Sequence, residues 1–119
     1  MPNPYGAPEI EVQDVSEKLQ NGDKFYIVDV REQNELAKVS LPLDNVVSLP
    51  VSEIASKGPA SIPETIADKD TELVVMCHHG LRSAQVTVFL QQQGWTNVTS
   101  MAGGVNAYAT VVDPTIGTY

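Results

Sequence analysis

Two short, wholly apolar runs, Phe25-Tyr26-Ile27-Val28 and Leu73-Val74-Val75-Met76, constrain this chain more than any other feature. Four residues without polar alternation are too few for a buried helix. They suit a strand covered on both faces, which is how strands of parallel sheets read. Parallel neighbours must be joined by crossovers, usually helical, and helical patterns fill the intervals. Val86, Phe89, Leu90 and Gln93 are spaced i, i+3, i+4, i+7 with the three apolar members on one face, predicting a helix over 83–93 closed by Gly94. Asp14-Val15-Ser16-Glu17 has the spacing of a capping box with Asp at the cap, and its helix should end near Gly22. Further strands are expected at 9–12, 46–49 and 98–101, and short helices over 33–37 and 105–109, the last after a tight turn at Gly103-Gly104. Residues 50–70 carry Pro50, Gly58, Pro59 and Pro63 and should form short helical turns joined by loops. The alternation predicts an α/β domain whose mainly parallel, five-stranded central sheet is flanked by helices.

The length of 119 residues fits one compact domain. Fifteen acids against seven bases give a formal net charge of −8, which repels nucleic-acid phosphates and argues against nucleic acid as a partner. No apolar run approaches the roughly 18–20 residues that span a bilayer. The start, Met1-Pro2-Asn3-Pro4-Tyr5, lacks the basic and apolar segments of a signal peptide. The expectation is therefore a cytoplasmic protein, not bound to membrane and monomeric. With three prolines, residues 1–8 are expected to be a loose arm.

The single cysteine excludes an internal disulfide. A lone cysteine is most often a small buried hydrophobe, so its position decides. Cys77 follows the second apolar run directly, and ligands of parallel sheets bind beyond the carboxyl ends of the strands. The segment Cys77-His78-His79-Gly80-Leu81-Arg82-Ser83 then links strand to helix. Backbone N–H groups of such a loop can converge into an anion cradle, and the helix N-terminus adds about half a positive charge. Both favour the thiolate of a cysteine placed there. Arg82 is a permanent cation able to hold an oxyanion, and Gly80 permits the positive φ that a curled loop needs. The set suits a nucleophile that receives, holds and releases a sulfur atom as an anion.

The loop resembles the active-site loop of the rhodanese family. Two further stretches resemble motifs of the same family in the same order. Ile27-Val28-Asp29-Val30-Arg31-Glu32 is similar to its Asp-Val-Arg-Glu segment. Gly94-Trp95-Thr96-Asn97-Val98 with Ala102-Gly103-Gly104-Val105-Asn106-Ala107-Tyr108 is similar to its C-terminal signature. The resemblance covers nearly the whole chain and implies a rhodanese-like core over about 9–110. It departs at Ser40-Leu41-Pro42-Leu43-Asp44, where the family usually shows His-Ile-Pro-Gly-Ala, and at a tail over 111–119. That tail is expected to pack back through Ile116 and Tyr119, with a docking tail as the alternative.

As the resemblance implies, Cys77 is the catalytic nucleophile of a thiosulfate sulfurtransferase and carries a persulfide, while His78, His79, Gly80, Leu81, Arg82 and Ser83 bind substrate. Thiosulfate or a persulfide is the expected donor. Cyanide in vitro, and a thiol or sulfur-accepting protein in the cell, are the expected acceptors. No cofactor is called for. Asp29 and Arg31 either pair with each other or cap the next helix, or else add to the electrostatics of the site. Three adjacent residues, Cys77, His78 and His79, do not converge easily on one ion, so no metal is expected. Trp95 and Tyr108 read as core. Two rivals stand beside this reading. Phosphatases of similar fold place their Arg one residue farther from the cysteine. A binding module of the same family would usually lack the cysteine.

Overall fold

The computed structural model describes residues 3–41 and 43–119, so Met1 and Pro2 of the expected arm and Pro42 of the divergent segment lie outside the described residues. Five strands form one sheet: β1 (Glu9–Ile10), β2 (Tyr26–Asp29), β3 (Val46–Ser48), β4 (Leu73–Met76) and β5 (Val98–Met101). Their order is β1-β5-β4-β2-β3, and every pairing is parallel. The connections hold α1 (Val12–Asn21), α2 (Gln33–Leu36), α3 (Val51–Lys57), α4 (Leu81–Gln92) and α5 (Gly104–Val111), with 3₁₀ turns at Gly58–Ser61, Glu64–Ile66 and Pro114–Ile116.

Side chains alternate along a strand, so each apolar run feeds both faces of the sheet. Ile27, Val74, Met76 and Met101 pack with Val12 and Val15 of α1 and with Val105 and Tyr108 of α5. Val28, Leu73, Val75 and Val98 pack on the opposite side with Val86 and Leu90 of α4, Ile66 and Trp95. All four positions of β4 are buried, each large aliphatic contributing roughly 1.5–3 kcal/mol. Cys77 continues the Leu73, Val75 series and joins the α4 side. Strand alternation thus aims the sulfur beneath the N-terminus of α4.

Several boundaries differ from the sequence reading. The first strand stops at Ile10, and α1 begins at Val12 with Glu11 as its N-cap, so Asp14 sits inside the helix rather than capping it. The backbone N–H groups of Asp14 and Val15 both donate to Glu11 O. Burial of Val12 and Val15 on one helical face outweighs the capping preference of Asp14. The expected end at Gly22 is present, in the left-handed conformation. Helix α4 starts at Leu81, two residues early, because Gly80 supplies a cap with φ 104°. Residues 3–8 of the expected arm are tied down rather than loose: Asn3 Oδ1 accepts from the N–H groups of Tyr5 and Ala7, and Pro8 O accepts from Ser100 N.

Candidate active site

The loop after β4 curls around its own cysteine. Gly80 N–H donates to Cys77 Sγ at 3.0 Å, and the positive φ at Gly80 turns the chain from there into α4. Ser83 Oγ, on the first turn of α4, lies 3.4 Å from the same sulfur. The N–H groups of Leu81, Arg82 and Ser83 open α4 and have no carbonyl partner within the helix. Sγ therefore sits at the positive end of the α4 dipole, within a residue only 1% exposed.

A second helix fixes the outside of the loop. Val105 N–H donates to Cys77 O at 2.8 Å and Asn106 N–H to His78 O at 3.1 Å, so the first turn of α5 holds the two carbonyls facing away from the sulfur. Gly104 makes this approach feasible. Its φ is 63°, and a Cβ there would be driven into the carbonyl oxygens of Cys77 and His78. The sequence showed Gly103-Gly104 as a turn before a helix. Its role as the back wall of the loop required knowing that β5 lies beside β4.

Polar side chains link the two flanks of the loop. Arg82 forms a two-pronged ion pair with Glu35, Nη1 to Oε1 at 2.6 Å and Nη2 to Oε2 at 2.8 Å. Glu35 is pre-set for this by a capping box, in which Glu32 N–H donates to Glu35 Oε1 while the Glu32 side chain caps α2. The Arg82 guanidinium, outweighing burial and helped by the Glu32 N–H and the Tyr119 hydroxyl, lowers the Glu35 carboxyl to about 2. Tyr119 Oη donates to Glu35 Oε2 at 2.9 Å. The Tyr119 ring stacks on His78 at 3.8 Å, and His78 Nε2 meets the Tyr119 main-chain oxygen at 2.8 Å. Burial and the neighbouring His79 push His78 below its usual value, which favours the neutral ring. The 111–119 segment thus lies against the domain at the site itself, with Ile116 on the α1 and α5 side of the core.

Beneath this rim lies a buried ion pair. Arg31, fully buried, donates to Asp29 through Nε at 3.0 Å and Nη2 at 2.8 Å, and Nη1 reaches Tyr119 Oη at 3.2 Å. Burial opposes the Arg31 charge, but the bonds to Asp29 and Tyr119 prevail and raise its pKa. Such a pair registers a structure more than it stabilises one, and losing either partner strands a buried charge. Here it ties the end of β2 to Tyr119.

A family model described as a rhodanese-like domain matches residues 11–110. The chain belongs to the rhodanese-like domain family. It is 37% identical over 114 residues to the Rhodanese-like/PpiC domain-containing protein 12, chloroplastic, of Arabidopsis thaliana, spanning 93% of this chain but only 37% of that protein. It is 32% identical over 115 residues to the Thiosulfate sulfurtransferase GlpE of Haemophilus influenzae, covering 93% of this chain and 96% of the relative. Among solved structures it is similar to the human single-domain sulfurtransferase TSTD1, with TM-score 0.71, 26% identity, and coverage of 89% and 98% of the two chains.

Within the rhodanese-like site, Cys77, Gly80 and Ser83 come together around the sulfur, while Arg82 points to Glu35, a partner that sequence reasoning did not assign. His79 and Leu81 are exposed, Leu81 at 57%. With Gly80, Glu9, Glu11 and Ala107 they line a cleft of about 480 Å³ on the flank of the loop. A larger cleft of about 990 Å³ lies at the opposite, amino ends of the strands, among Phe25, Tyr26, Asn45 and Asn97, away from the sulfur. Asp29 and Arg31 pair with each other behind the rim. No group of three or more His, Cys, Asp or Glu side chains suited to a metal ion occurs among the described residues. No helix among them is long and apolar enough to cross a membrane.

Proposed function

We propose that this protein is a sulfurtransferase that moves a sulfane sulfur from thiosulfate, or a related donor, to a thiol or sulfur-accepting protein through a persulfide on Cys77. The observation that carries the reading is the sulfur's place: Sγ accepts an N–H from its own loop at the N-terminus of α4. Relatives named as sulfurtransferases support it. In the first half-reaction the Cys77 thiolate attacks the outer sulfur of thiosulfate. The S–S bond of the donor breaks, and sulfite departs with its electron pair. In the second, cyanide or an acceptor thiolate attacks the terminal sulfur of the persulfide, and Cys77 leaves as thiolate. Both steps move negative charge through one small volume, where oriented amides stabilise charge most effectively.

Since Glu35 already engages Arg82, the donor's charge rests chiefly on the loop N–H groups and the α4 dipole. The test is a thiosulfate:cyanide turnover assay on the wild type and Cys77→Ser, with an aryl phosphate as control substrate. Thiocyanate production that vanishes in the variant, with unchanged far-UV circular dichroism, is the expected result. Retained turnover in Cys77→Ser removes the cysteine from the mechanism, and hydrolysis of the aryl phosphate favours a phosphatase instead.

A further inference from the structure

Behind the active-site loop, a short line of hydroxyls runs from the sheet to the sulfur. Ser100 on β5 and Ser83 on α4 are both fully buried. Their Oγ atoms are 2.8 Å apart, and Ser83 Oγ is 3.4 Å from Cys77 Sγ. Buried hydroxyls are costly unless their hydrogen bonds are complete, so the protons can be counted in each ionisation state. With a neutral thiol, three protons, one S–H and two O–H, share the two links of the line, so one of them lacks an acceptor whichever way the bonds run. When S–H donates to Ser83 Oγ and Ser83 O–H to Ser100 Oγ, it is the Ser100 proton, because Ser83 is the only hydrogen-bond partner of its hydroxyl among the described residues. With a thiolate the direction reverses. Ser100 O–H donates to Ser83 Oγ, and Ser83 O–H donates to the sulfur, which also receives Gly80 N–H. Every hydroxyl proton in the line is then used. Successive bonds in such a chain polarise one another.

We propose that Ser100 is a positioning residue that favours the thiolate of Cys77 by acting through Ser83. The proposal takes Cys77 as the reacting group, as in the function above, but its test does not depend on sulfur chemistry. Cys77 is the only thiol, so its alkylation by iodoacetamide can be followed by intact mass. Rates are compared at about pH 7 and about pH 10, for the wild type, Ser100→Ala, Ser83→Ala and the double variant. A merely structural role changes both rates together, whereas loss of thiolate lowers their ratio.

The expected result is a pH 7 to pH 10 rate ratio lowered roughly 3- to 10-fold in Ser100→Ala. Ser83→Ala should lower it at least as much, and the double variant no further than Ser83→Ala alone. An unchanged ratio in Ser100→Ala, or a loss in the double variant that equals both single losses combined, overturns the proposal. The ordered series of ratios, found together with failure of the wild type to take sulfur from thiosulfate, would uphold the hydroxyl line and refute the sulfurtransferase reading.

Discussion

Replacing Gly104 with alanine perturbs the active site from behind, through loop backbone rather than through a side chain that meets substrate. At φ 63° an alanine sits in the left-handed region, at a cost of roughly 1–2 kcal/mol. Its Cβ also meets the carbonyl oxygens of Cys77 and His78, which belong to backbone and cannot rotate aside. Forced shifts of this kind cost about 1–3 kcal/mol. The shift also strains the bonds from Val105 N–H and Asn106 N–H, each worth about 0.5–1.5 kcal/mol. With both bonds lost these contributions sum to about 3–8 kcal/mol, which for a domain of this size lowers Tm by on the order of 10–30 °C. Gly22→Ala is the control, because Gly22 has φ 72° but nothing within 4 Å of its Cβ position. It should show the conformational cost alone, about 1–2 kcal/mol. The assay is thermal unfolding by circular dichroism, paired with sulfur transfer per folded molecule, which should fall more than about tenfold in Gly104→Ala if a 1 Å misplacement matters as it usually does. Gly104→Ala with the stability of Gly22→Ala and full turnover would refute the claim that α5 shapes the loop.

Two further outcomes follow from the rim. Arg82 depresses Glu35 to about 2 from an ordinary 4.5, so the pair's contribution is complete above the ordinary value and is lost as pH falls from about 4.5 through about 2. Chemical denaturation across that range should lose roughly 1–3 kcal/mol, after allowing for solvent screening at the rim, and Glu35→Gln should flatten that part of the profile. Tyr119→Ala removes the stack on His78 and the bonds to Glu35 and Arg31. Because Tyr119 bridges the flanks of the loop, alkylation of Cys77 should accelerate several-fold, and an unchanged rate would show that the ring does not restrict access.

The sheet was legible because its signal is local. The apolar run at 73–76 coincides with β4, and the residue after it had to be the cysteine. The run at 25–28 is displaced by one residue in the structure, where β2 ends at Asp29 rather than Val28. Asp29 is polar and reads as a terminator, but its pairing with Arg31 lets the strand run on. The loop's chemistry was legible for the same reason, since Gly80 and Ser83 act within six residues of Cys77. The parts that were not legible join elements distant in sequence. Arg82 meets Glu35 across 47 positions and Arg31 meets Tyr119 across 88. Ser100 and Gly104 reach the site only because β5 lies beside β4 in the sheet order. A capping box built from two glutamates at 32 and 35 also escaped notice, because Glu is not a preferred N-cap residue.

The most direct test of the account is the covalent state of Cys77 itself. Wild-type protein and Cys77→Ser are incubated with thiosulfate, desalted, and weighed by intact mass spectrometry before and after cyanide. The account predicts a gain of one sulfur atom per chain in the wild type, removed by cyanide with release of thiocyanate, and no gain in the variant. A wild-type protein that keeps its mass under these conditions, or a variant that gains the same sulfur, would contradict it.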